Sequence, residues 1–302
     1  MAKTVWKSGK DYIIRGITHL CNALPMLSTT DHRRDYSGFR YVYPVISRRA
    51  GGVSVGVNLN PNNACNWACV YCQVPELTRG GPPPIDLGLL TEELRALLGD
   101  IVHGDFMASQ VPEGARTLMD VAFSGNGEPT SAAEFPEAVN SVITIMQEMK
   151  LLPKTRLRLI TNGSLLHRPA VQSGIRRIGE LDGEVWFKVD RATAAGIEAV
   201  NKIALAPEKM LAKLETCCEL APTWIQTCWF AMDGKAPNEA EQSAYVELVA
   251  SVRTKIKGVH LYGLARPSLQ PEAICLSRLP LDQLAKLAAR ISALGVEVSL
   301  SP

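Results

Sequence analysis

The run Val53-Ser-Val-Gly-Val-Asn-Leu-Asn-Pro-Asn-Asn-Ala-Cys-Asn-Trp-Ala-Cys-Val-Tyr-Cys-Gln73 decides the fold. Its first seven residues, Val53 to Leu59, read as a β-strand. The strand leads straight into a cluster spaced Cys65-x-x-x-Cys69-x-x-Cys72. Three thiolates this close can wrap one side of a cubane iron–sulfur cluster, and three ligands for four irons leave one iron open. An open iron is what a small molecule needs to chelate the cluster directly. Zinc is the competing reading. Structural zinc sites usually pair two short knuckles; no second knuckle exists here, and Cys217 and Cys218 are adjacent, a spacing that suits chelation poorly. A non-enzymatic zinc or redox-sensing module stays as the alternative at this point.

Outward from the cluster, Arg79-Gly-Gly-Pro-Pro-Pro84 reads as a loop. Strands then alternate with longer amphipathic segments. Strands are expected at Leu118–Ser124, Arg156–Thr161, Glu184–Asp190, Thr223–Ala231, Val259–Leu264 and Val296–Leu300. Helices are expected at Ser131–Lys150 with the capping pair Ser131/Glu134, Arg168–Glu180, across Ala192–Leu220, Glu239–Lys257 with the pair Asn238/Glu241, and Asp282–Leu294. Repeated βαβ units mean a parallel sheet, and six or seven of them suit an open or partial barrel. No sharp linker divides the chain, so the expectation is one catalytic domain over 51–302 behind a basic extension over 1–50.

The 302 residues are 46% hydrophobic and 21% charged, enough to bury a large core. No apolar run approaches the ~20 residues of a membrane span, and Met1–Arg15 lacks a secretory apolar region; the expected location is the cytoplasm, with no membrane partner. The net charge of +2 is unevenly spread: residues 1–52 hold nine Lys or Arg against three Asp, a local +6, which leaves −4 for the rest. Such an arm suits RNA or another anionic partner, or is simply solvated. Eight cysteines, clustered in a long chain, point to metal rather than to disulfides.

The cysteine motif, with aromatic Tyr71 before its third cysteine, resembles the signature of the radical S-adenosylmethionine superfamily. The resemblance implies a partial (β/α)6 barrel, a [4Fe–4S] cluster on Cys65, Cys69 and Cys72, and S-adenosylmethionine on the open iron with Tyr71 against its adenine. Phe123-Ser-Gly-Asn-Gly-Glu-Pro-Thr130 resembles the family's glycine-glycine-glutamate motif, which implies that Ser124, Gly125, Asn126, Gly127 and Glu128 hold the methionine amine. The strand ends Thr161-Asn162 and Lys188-Val-Asp190, together with Gln226, are the further cofactor-binding candidates. Lys188 and Asp190, two residues apart, share a face if the strand continues through both. Arg266 and Cys228 are the substrate-side candidates.

Pro44-Val-Ile-Ser-Arg-Arg49, Cys69-Val-Tyr-Cys-Gln73, Phe123–Thr130, Ile160-Thr-Asn-Gly-Ser-Leu-Leu166 and Arg266-Pro267 are similar, in order, to the iron–sulfur oxidoreductases related to the wyosine-base synthases of tRNA. Those synthases carry a second cluster on upstream cysteines, whereas only Cys21 precedes the motif here, which points to a single cluster. The implied chemistry is reduction by flavodoxin or ferredoxin, cleavage of S-adenosylmethionine to methionine and a 5′-deoxyadenosyl radical, and hydrogen abstraction from a tRNA nucleoside or a small metabolite. A radical-installing activase acting on a protein or peptide is the alternative within the same chemistry.

Overall fold

The computed structural model describes residues 26–28 and 36–301. Cys21 and most of the basic arm lie outside them.

Eight strands form one sheet in sequential order: β1 (Val42–Ser47), β2 (Gly52–Val57), β3 (Leu118–Phe123), β4 (Arg156–Thr161), β5 (Glu184–Lys188), β6 (Thr223–Cys228), β7 (Gly258–Tyr262) and β8 (Val298–Ser301). β1 pairs antiparallel with β2, and every later pairing is parallel. Each parallel step crosses through helix: α1 (Leu87–His103), α2 (Phe135–Glu148), α3 (Pro169–Gly179), α4 (Ala194–Asn201) with α5 (Pro207–Leu220), α6 (Glu239–Val252) and α7 (Leu281–Ser292). Sequential right-handed crossovers put all the helices on one face, and the sheet curls into an α/β half-barrel around the other.

Side-chain alternation sorts the two faces. Val121 and Phe123, Leu157 and Leu159, Val185 and Phe187, Val259 and Leu261 are buried in the apolar core under the helices. Their neighbours Asp120, Arg158, Trp186, Gln226 and Tyr262 line the concave lumen. A period of two therefore separates a hydrocarbon layer from a polar one along the same strands. The curl carries Arg49, in the β1–β2 turn, across to Trp186 of β5 and Tyr262 of β7, with its guanidinium 5.1 and 4.8 Å from their ring centres.

The strand expectations hold to within three residues at each end, and Arg156–Thr161 is matched at both. Four placements differ. Residues 42–47, assigned by the sequence reading to the extension, form the edge strand of the sheet; buried Glu93 of α1 accepts the backbone N–H groups of Arg40 and Tyr41 and anchors the entry to it. The helix expected from Ser131 starts at Phe135, because Ser131 Oγ donates to the Glu128 carbonyl in a 3₁₀ turn and Glu134 caps without a side-chain bond. The helical pattern over Ala192–Leu220 splits in two, since Lys202 turns left-handed (φ 55°) and Pro207 opens a new helix. Finally, α1 was not anticipated, although Asp86 caps it by accepting from Leu89 N and its leucines repeat on one face. Asn238 does cap α6, accepting from Glu241 N. No helix among the described residues is long and apolar enough to cross a membrane.

Candidate active site

A cavity of about 300 Å³ opens at the C-terminal ends of the parallel strands and continues into the lumen. Cys65, Cys69 and Cys72 all line it, on the loop that follows β2. So do Tyr71, Ser124 to Glu128, Asn162, Lys188, Gln226, Cys228 and Arg266. Thr161 and Asp190 are the two candidates that do not.

The cysteine loop is held from three sides. Asn201, the last residue of α4, donates its amide to Cys69 Sγ at 3.3 Å and to Asp190 Oδ2 at 2.8 Å. Its carbonyl and that of Val200 accept from Ala68 N and Val70 N. From the far end of the barrel, Ser268 Oγ donates to Val70 O at 2.7 Å, and the Gln270 amide to Val74 O at 2.8 Å. Trp67 N points at Cys65 Sγ at 3.5 Å. Burial pushes the Cys65 thiol up to about 11 and the Cys69 thiol up to about 12. Thiols in this setting ionise only beside added positive charge, such as that of a bound metal. Among the described residues no three His, Cys, Asp or Glu side chains gather on a single-ion point.

The Gly-Asn-Gly-Glu turn lines the cavity and is also packed against the cysteine loop. A Cβ on Gly125 would strike Asn58, and one on Gly127 would strike Asn60 and the Ala64 carbonyl. The missing side chains thus admit the approach of the cysteine loop itself. Glu128 is buried, and its carboxylate is already engaged: Oε1 accepts from Thr130 N, Thr130 Oγ1 and Thr161 Oγ1, and Oε2 from Asn162 N at 2.7 Å. Burial pushes this carboxyl up while those donors pull it back. It ties the ends of β3 and β4 together, and Thr161 is its partner rather than a cavity-lining group.

Asp190 is displaced for a similar reason. β5 ends at Lys188, so the alternation that would bring Asp190 inward stops before reaching it. The carboxylate instead accepts from Tyr71 OH at 2.6 Å, from Asn201 and from Cys228 N at 3.0 Å. Lys188 stays at the cavity wall with its ammonium over the Tyr71 ring at 4.7 Å and 3.8 Å from Asp190. Burial pushes this ammonium down, but Asp190, Cys69, Tyr262 and Cys228 together push it up by more, so it is held cationic. Cys228 is buried beside it with its thiol pushed up by burial. Gln226 faces Arg49 and, with its amide oxygen turned inward, accepts from the guanidinium.

Sequence reasoning missed the asparagines. Asn58 Oδ1 accepts from Asn60 N and Asn126 N, both at 3.0 Å, and the Asn126 amide donates to Asn63 at 2.6 Å. Asn66 joins Asn162 and Ser164 across the site at 2.9 and 2.7 Å. Five asparagines between 58 and 66 were the available signal; short amides satisfy loop backbone where no ladder can.

No family model matches the sequence. The structure is similar to a radical SAM methyltransferase from Sphaerobacter thermophilus, with a TM-score of 0.56 and 14% identity over 86% of this chain and 68% of that one. It is also similar to anSMEcpe with bound AdoMet, with a TM-score of 0.51 and 17% identity over 82% of this chain and 63% of that one. What they share with this chain is the fold. Among curated proteins, GTPase Obg of Brachyspira hyodysenteriae (strain ATCC 49526 / WA1) is 24% identical over 135 residues, which are 44% of this chain and span only 17% of the length of that protein.

Proposed function

We propose that this protein is a radical S-adenosylmethionine enzyme whose single [4Fe–4S] cluster is held by Cys65, Cys69 and Cys72. One observation carries the reading: three cysteines with the x3/x2 spacing line the same strand-end cavity as the Ser124–Glu128 turn, Asn162 and Lys188. The likeness to the two solved structures supports it at the level of fold.

The chemistry such a cluster supplies when bound and reduced is one-electron cleavage of S-adenosylmethionine to methionine and a 5′-deoxyadenosyl radical, which takes hydrogen from a substrate. The chain's own residues position and shield. Cys69 is aimed by Asn201, and Cys65 by the Trp67 amide. Lys188, held cationic, suits the methionine carboxylate, and the loop oxygens and amides of Ser124 to Asn126 suit polar groups of the ligand. Tyr71, fixed by Asp190 and packed edge-on to Phe230 at 5.4 Å, offers the remainder of its ring as an apolar wall. Lumen side chains such as Trp186 and Tyr262 wall the site against water. A one-electron donor such as flavodoxin or ferredoxin, a cytoplasmic setting, and a tRNA nucleoside or small metabolite as substrate belong to the same proposal; a cavity of this size takes a small molecule or one everted nucleoside.

The test is anaerobic loading with iron and sulfide, followed by dithionite and S-adenosylmethionine. The expected outcome is about four iron and four sulfide per chain and formation of 5′-deoxyadenosine. Cys69→Ala should abolish both. A fully loaded protein that forms no 5′-deoxyadenosine, or one tightly bound zinc with no acid-labile sulfide, sinks the reading.

A further inference from the structure

Below the strand-end layer the lumen holds a second set of groups that the cluster and S-adenosylmethionine do not account for. Its acids are already paired. Asp120 binds Arg158 and Ser54, and Glu184 binds Arg158 at 3.0 Å and Arg156 at 3.5 Å. Arg49 has no carboxylate partner among the described residues. Its one polar partner is the neutral Gln226 amide, and its faces lie against Trp186 and Tyr262. Stacking covers the guanidinium's faces; the Gln226 oxygen takes one donor from each terminal nitrogen, which leaves the remaining N–H groups for a ligand.

Beside it are buried polar atoms with nothing to bond. Trp186 Nε1 has no partner, and neither ring nitrogen of His260 has one, although His260 is only 7% exposed. His260 lies between Trp186 and Trp224, 4.5 Å from each ring centre. Buried donors and acceptors are bonded as a rule, and each exception asks for a water or a ligand. A guanidinium with no carboxylate at ion-pair distance and N–H donors beyond those given to Gln226, together with an indole N–H, is complementary to a flat anion with two coplanar oxygens.

We infer that the lumen floor formed by Arg49, Trp186, Gln226 and Tyr262, with His260 packed behind Trp186, is the substrate subsite, and that it binds a planar carboxylate through the N–H donors of Arg49. Arg49 is the specificity-determining residue, with Trp186 and Tyr262 flanking the ring or chain that bears the carboxylate. The inference rests on the function proposed above in one respect: the molecule held here is the one whose hydrogen is taken.

Binding is measured without turnover, by calorimetry on the anaerobically loaded protein with saturating S-adenosylmethionine, using benzoate and its neutral analogue benzamide as probes. Benzoate is expected to bind in the millimolar range and at least about tenfold tighter than benzamide. Arg49→Gln should weaken benzoate about tenfold or more. Arg49→Lys, which keeps the charge but loses the fork, should weaken it by about three- to tenfold, and it serves if the glutamine variant does not fold. Equal binding of benzoate and benzamide, no millimolar binding of benzoate, wild-type affinity in the folded Arg49 variants, or displacement of benzoate by S-adenosylmethionine would each overturn the inference. The two readings fail separately. Arg49-dependent binding in a protein that makes no 5′-deoxyadenosine keeps the subsite and refutes the radical chemistry; 5′-deoxyadenosine without Arg49-dependent binding does the reverse.

Discussion

His260 shows how much a single side chain reports about the lumen. Burial, with Arg49 and Arg158 nearby, holds its pKa down at about 3, against an ordinary value of 6.5. In that interval the unfolded chain takes up a proton that the folded chain refuses. The contribution to stability is therefore complete above pH 6.5 and is lost as pH falls toward 3, by about 1.4 kcal/mol per pH unit. His260→Phe keeps a flat ring between the two indoles and removes the titration. Between pH 6.5 and 5 the wild type should lose about 2 kcal/mol more than this variant, read by urea unfolding. Superimposable pH profiles would show that the imidazole is not held neutral. In the sequence His260 is an unremarked residue inside a strand, because its neighbours Trp186 and Trp224 come from two other strands.

At the scale of elements, the site is a set of strand ends, and their shape matters more than their length. Gly163, just past β4, has φ +67°, and a Cβ there would collide with the Phe187 ring of β5. Gly163→Ala should cost about 2–4 kcal/mol, from the left-handed backbone and the displaced ring together, measurable as a lower unfolding midpoint. A cost within about 0.5 kcal/mol would mean that the β4–β5 ends are loosely packed. The strands were legible because hydrophobic alternation and glycine-bearing ends mark them. Which face of each strand turns inward was not, since both faces of a covered parallel sheet are buried. Asp190 illustrates the limit: its placement depended on where β5 stops, and hydrogen bonds to Tyr71, Asn201 and Cys228 decide that.

Over the whole molecule, the cysteine loop is where distant parts of the chain meet. It is clamped by α4 through Asn201 and by the 268–270 segment nearly two hundred residues away. A cluster bound there adds its binding energy to the folded state alone. The loaded protein should melt at least roughly 5 °C above the iron-free one, chelation should reverse the gain, and Cys69→Ala should show no gain from iron and sulfide. Identical melting of loaded and iron-free protein would place the metal off these thiols. The sequence by itself determined the α/β alternation and the position of the three cysteines after a strand, because local period and spacing carry both. It also marked the glycine-rich strand ends that face them. Only the tertiary structure decided that Glu128 ties two strand ends together at the cavity wall, that Asp190 braces Tyr71 from outside it, that the asparagines brace the loop, and that Arg49 crosses the lumen to β5 and β7. Those are contacts between residues far apart in sequence, fixed by the curl of the sheet, and no local pattern encodes them.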